Sequence, residues 1–178
     1  MNRIFALASV SALALGVVAT ASAQTKPAGV SFRAGIFFPS NGDAKSVRGG
    51  KQWFAAGLEY KLGDLKVGAE NPNYSSSYSV SVDWTGKDDF RNIPVLVNYV
   101  GRTSQGFYYK AGAGIGFVQY YDFSPSQLKT RHNTAFAYQA ALGYDLKIGP
   151  LPSFIEVAYL GSSKSVVNGI GVYGGVRF

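Results

Sequence analysis

Gly169-Ile170-Gly171-Val172-Tyr173-Gly174-Gly175-Val176-Arg177-Phe178 are the last ten residues of the sequence. With a two-residue period, Ile170, Val172, Val176 and Phe178 share one face of a strand, with Gly174 among them. Gly169, Gly171, Tyr173, Gly175 and Arg177 share the other. One face is apolar. The other combines glycine, a phenol and a guanidinium. A strand ending on an aromatic suggests that Phe178 sits at a membrane–water interface, where barrels that cross membranes carry aromatic girdles. The rest of the chain is therefore tested as one closed barrel.

The same alternation recurs upstream. It predicts strands at Gly29–Phe38, Gln52–Leu62, Phe90–Val100, Phe107–Val118, Thr134–Ile148 and Ser153–Leu160. A further strand starts at Leu65, is interrupted by Asn71-Pro72-Asn73 and resumes from Tyr74 to Val82. Its apolar positions change phase across the interruption, which implies a bulge or an edge rising into a loop. The connections expected after strands one, three, five and seven are long and polar: Pro39–Lys51, Asp83–Asp89, Asp122–Asn133 and Gly161–Asn168. Those after two, four and six are short. Eight strands with loops at one end and tight turns at the other predict an all-β fold, an eight-stranded antiparallel transmembrane β-barrel in up-and-down meander order.

Composition agrees. Residues 1–23 have Arg3 as a positive start, an apolar run and Ala21-Ser22-Ala23 as a small-residue cleavage site, and so read as a secretory signal peptide. Removing 23 residues from 178 leaves 155, one domain over residues 24–178, with 16 basic and 10 acidic residues and a formal charge of +6. No cysteine is present, so disulfides and thiolate metal sites are excluded. Charged residues make up 15% of the chain, against the roughly 25–35% of a soluble surface. No helical period appears after the signal.

Alternation alone leaves open which face is inside. A soluble carrier would fold the apolar set inward, with a ligand cavity on the Ile115 and Phe117 face. The opposite face favours a membrane barrel. It is rich in glycine (Gly35, Gly57, Gly112, Gly114, Gly116, Gly143), which suits a crowded interior. Its charges come in both signs and can pair. The expected lumen network is Arg33, Glu59, Lys61, Glu70, Lys110, Asp145, Glu156 and Arg177, with Lys66 and Lys147 on the same face. Bulky lumen residues Phe37, Trp53, Tyr108, Phe154 and Tyr173 favour a plugged interior over a selective pore.

Phe32-Arg33-Ala34-Gly35 with Pro39, Ile93-Pro94-Val95 with Tyr99, Ala111 to Gly116, and Gly171 to Phe178 resemble the small eight-stranded outer-membrane β-barrels of the OmpA, OmpX and OmpW group. The resemblance spans residues 24–178. It implies location in a bacterial outer membrane after export, and a C-terminal assembly signal at Val176 and Phe178 read by the barrel-assembly machinery. It also implies roles ranging over structural anchoring, adhesion and small-solute passage. The expected function is a non-enzymatic, structural or interaction role at the cell surface. The alternatives are a narrow, porin-like channel for small solutes, a lipid A-modifying enzyme, or the soluble carrier. The lipid A reading would use His132, Thr134 and Glu156, but alternation places Thr134 and Glu156 on opposite faces, so His132 is expected as a solvated loop residue. No cofactor or metal is expected. Expected partners are outer-membrane lipids and, through loop cations Lys45, Arg48, Lys51, Lys129, Arg131 and Lys164, lipopolysaccharide phosphates. A monomer that does not bind nucleic acid is expected.

Overall fold

The computed structural model describes residues 29–46, 50–66, 71–124, 127–146 and 151–178, with the backbone alone at 43, 46, 121–124 and 127–129. The signal segment 1–23, Arg48, Glu70 and Lys147 lie outside the described residues, as does the side chain of Lys129. The strands are β1 Val30–Pro39, β2 Trp53–Leu65, β3 Tyr74–Lys87, β4 Phe90–Thr103, β5 Phe107–Ser124, β6 Gln127–Leu146, β7 Ser153–Ser162 and β8 Gly169–Arg177. Each pairs antiparallel with its neighbour in sequence, and β8 returns to β1, which closes the barrel. The closing register runs from Ser31 opposite Arg177 to Pro39 opposite Gly169. Beyond it the Gly29 N–H donates to the Phe178 carbonyl and the Phe178 N–H to the Val30 carbonyl, each at 2.8 Å.

The polarity is inverted relative to a soluble barrel. Ile115 and Phe117 are 52% and 53% exposed on the outer wall, so the cavity proposed for a soluble carrier does not exist on that face. Phe37 and Trp53 are 0% and 2% exposed inside it. Outward aromatics gather toward both ends. Phe54 and Trp84 approach at 5.8 Å toward the end that carries the β1–β2 link, called here the loop end. Toward the end that carries the barrel's first and last strand residues, here the terminal end, the Tyr74 hydroxyl lies 2.5 Å from that of Tyr99 and 2.7 Å from that of Tyr109. This is the distribution of a girdled barrel.

Several boundaries differ from the sequence reading. Leu65 belongs to β2, and β3 begins at Tyr74. The phase change arises on β2: Lys61 faces Ser79 and Gly63 faces Tyr78, leaving Leu62 as the bulged residue. The segment Asp83–Asp89 is not a loop. β3 continues to Lys87 and turns at Asp88-Asp89, where Asp88 has φ 53°. Most of the expected loop Asp122–Asn133 is strand as well, since 122–124 and 127–133 belong to the β5–β6 ladder. The alternation of long and short links therefore fails after β2, where residues 66–73 separate the strands, and after β3 and β5. The polar loop after β1 contains one helical turn, α1 Gly42–Ser46.

The β5–β6 hairpin outgrows its neighbours. Gln119 is the last β5 residue opposite β4, and β6 meets β7 only from Ala137 onward. Tyr120–Ser124 and their partners on β6 add roughly 15 Å of two-stranded ribbon above the wall. This ladder was missed because Asp122, Ser124 and Pro125 interrupt the apolar alternation, while antiparallel pairing needs no apolar face once the ribbon leaves the wall.

The two tryptophans separate the faces. In bilayers with brominated acyl chains, a Trp53→Phe variant retains Trp84 and should show strong quenching. A Trp84→Phe variant retains Trp53 and should show little. Equal quenching would contradict the inward placement of Trp53.

Candidate functional site

The functional candidate is the lumen, which is filled in three levels. At the loop end, Phe37, Trp53 and Phe90 form a chain of ring contacts with centroids 5.6 and 5.7 Å apart. Ala44 of α1 and Val167 of the 3-10 turn Ser165–Val167 complete this apolar layer, both fully buried. The Ala44 N–H donates to the Asn41 side chain at 3.4 Å, which starts the helical turn and aims Ala44 inward.

The middle level is ionic. Arg33 on β1 donates through Nε to Asp83 Oδ1 at 2.9 Å, through Nη2 to Gln139 Oε1 at 3.1 Å, and through Nη1 to Glu156. Lys110 Nζ lies 2.6 Å from Glu59 Oε2 and 2.9 Å from Glu156 Oε2. The Tyr108 hydroxyl donates to Glu156 Oε2 at 3.0 Å, and the Ser79 hydroxyl to Glu59 Oε1 at 2.7 Å. Gln139 donates to Asn98, and Asn98 donates to the Ser81 hydroxyl at 3.1 Å. The Arg33 guanidinium also lies 4.8 Å over the Tyr173 ring. One residue or more from each of the eight strands enters this layer. Glycine makes the space: a methyl at Gly57 would overlap the Asp83 carboxylate, and one at Gly143 the Tyr108 ring.

The terminal end holds the third level. Asp145 pairs with Arg177 and, at 3.1 Å, with Arg102 Nε. Arg177 lies 4.2 Å over the Phe154 ring and 4.9 Å over that of Tyr108. A cavity of about 750 Å³ opens here and reaches the ionic layer.

Of the expected network, the structure brings Arg33, Glu59, Lys110 and Glu156 into one cluster. Asp145 and Arg177 form a separate pair nearer the mouth. Lys61 does not join: it is half exposed and pairs with Asp64 at 2.5 Å. It lies beside the Leu62 bulge, where the strand has left the closed part of the wall. Glu70 lies outside the described residues. Asp83, expected in a loop, joins this cluster from β3, because Val82-Asp83-Trp84-Thr85 continues the strand alternation and carries the signal for it. Arg102, beyond the Val100 end expected for the fourth strand, lies within β4 and joins Asp145.

Phe178 departs from its expected girdle position. It is 8% exposed and lines the mouth of the cavity, because β8 ends at Arg177 and strand alternation no longer sets its direction. Val176 is half buried opposite Phe32 and Ser153. His132 is a strand residue opposite Gln119, exposed like Thr134 on the outer side of β6, while Glu156 is sealed in the lumen. The barrel wall separates them, so no triad forms.

The arrangement can be compared with solved proteins. The N-terminal β-barrel domain of Pseudomonas aeruginosa OprF superposes with a TM-score of 0.51 at 12% identity, over 86% of this chain and 100% of that one. This chain has the fold of the small outer-membrane β-barrels. Two structures of Ail from Yersinia pestis also match. The nanodisc structure has 20% identity and a TM-score of 0.47, covering 84% of this chain and 98% of Ail. The crystal structure with a heparin analogue has 16% identity and a TM-score of 0.44, covering 83% and 94%. No protein-family model matches the sequence, and no curated protein does.

In this small barrel, the buried ion cluster fixes all the strands at one level. Glu156→Ala leaves Arg33 and Lys110 short of a buried counter-charge. Removing one partner of such a cluster costs about 3–5 kcal/mol. Urea unfolding of the refolded protein in lipid vesicles should show that loss, whereas Lys61→Ala, at the exposed pair, should change stability by less than about 1 kcal/mol.

Proposed function

We propose that this protein resides in the bacterial outer membrane as a closed, non-enzymatic barrel that acts in structure or interaction at the cell surface. The observation that carries the reading is the filled lumen combined with an apolar outer wall. Among the described residues, the Phe37–Trp53–Phe90 layer and the Arg33 cluster fill the bore, while Ile115, Phe136 and Leu142 lie half exposed or more on the outside. In this reading the terminal end faces the periplasm and the β5–β6 ribbon stands outside the cell. Exposed Lys45 and Lys51 lie in the β1–β2 link and exposed Lys164 in the β7–β8 link, at the same end of the barrel as the ribbon. A cationic rim of that kind suits phosphate groups of an outer-leaflet lipid such as lipopolysaccharide. Val176 and Phe178 remain the proposed signal for the barrel-assembly machinery.

A second reading, passage of small solutes, draws on the cavity that reaches the ionic layer from the terminal end. Passage would require displacing the aromatic layer. Planar-bilayer recording separates the two. The wild-type protein should give no conductance steps, and a Phe37→Ala, Trp53→Ala double variant should give small ones. Steady wild-type conductance that changes on Lys110→Gln would establish the channel instead.

A further inference from the structure

The cavity at the terminal end is lined by charge at two depths. Its inner wall includes Glu59, Lys110 and Glu156, and its mouth Arg102, Arg177 and Asp145. Among the described residues, Arg33 and Lys110 face Glu59, Asp83 and Glu156 in the inner layer, an excess of one negative charge. At the mouth, among the described side chains, Arg102 and Arg177 share Asp145, an excess of one positive charge. Lys61 and Asp64 cancel at the rim.

Access singles out particular groups. The Glu59 side chain is 17% exposed, whereas Glu156 and Asp83 are at 1%. The Arg102 and Arg177 side chains are 36% and 18% exposed. Val100, Tyr108 and Phe154 form an apolar wall between the two levels. Ser77 and Ser79 also line it, and the Ser79 hydroxyl donates to Glu59.

We propose that this cavity binds a small zwitterion, with its ammonium group directed inward to Glu59 and its carboxylate held at the mouth by Arg102 and Arg177. A lone anion at the mouth would leave the inner negative charge unmet, and a lone cation inside would leave the two guanidiniums short of acceptors. A zwitterion answers both, and each contact is a charge-assisted hydrogen bond. Its aliphatic middle lies along Tyr108 and Phe154. The volume, about 750 Å³, falls within the roughly 300–1,000 Å³ of small-molecule sites. Binding of this kind depends neither on conductance nor on the β5–β6 ribbon.

The test is calorimetric titration of the refolded protein in neutral maltoside micelles. The probes are glycine, γ-aminobutyrate and ε-aminocaproate, beside caproate and its alkylammonium counterpart. The best of the three amino acids should bind at least about tenfold more tightly than either singly charged analogue. Glu59→Gln should weaken the amino acid and the alkylammonium but not caproate. Arg102→Gln should weaken the amino acid and caproate but not the alkylammonium. The proposal fails if no amino acid binds at about 50 mM, or if caproate binds as tightly as the best of them. It also fails if both variants retain full affinity. Should either variant fail to refold, the analogue series on the wild-type protein decides the matter.

Discussion

The ladder between β8 and β1 is the constraint on which everything else rests. In a hydrocarbon environment an unpaired backbone N–H or C=O costs several kcal/mol, so a sheet survives there only without free edges. The pairing of Ser31 with Arg177 through Pro39 with Gly169 removes the last pair of edges in the wall. Closing the sheet with eight strands also fixes the bore. An interior of that size is just wide enough for side chains to fill it. The narrowness of the lumen therefore follows from closure, and the lumen chemistry follows from the narrowness.

Filling such a bore with alternating residues brings charges together with little water. Arg33 is the clearest case. Its guanidinium reaches Asp83, Gln139 and Glu156 on three other strands and lies over Tyr173 on a fourth. Desolvating these ions is costly, and the cost is met only when each finds opposite charge and hydrogen bonds. The cluster is thus less a source of net stability than a device that rejects other registers. A one-residue slip of any strand would turn its charged residue to the apolar outer wall.

The loop end and the terminal end are built differently. At the loop end, α1 and the 3-10 turn press Ala44 and Val167 onto the Phe37–Trp53–Phe90 layer, sealing the bore with apolar packing. At the terminal end, the arginines at Asp145 stand beside an open cavity. The ionic layer lies between them and is reached from the terminal end.

Much of this was legible in the sequence. Strict alternation in Phe107–Val118 and in the final decade identified the strands, their inward and outward faces, and most of the charged residues that meet inside. Period-2 patterning is a local property, and a half-apolar strand displays it directly. Locality also explains the failures. Asp83 looked like a loop because a lone carboxylate in a strand makes sense only beside Arg33, fifty positions away in the chain. The β5–β6 ribbon carries polar residues whose pairing depends on the partner strand. The bulge at Leu62 and the inward turn of Phe178 depend on register at the barrel rim. The sequence by itself determined the number of strands, their order and the inverted polarity. The tertiary structure alone decided which charges share a level, because stagger between neighbouring strands sets which inward residues meet across the bore.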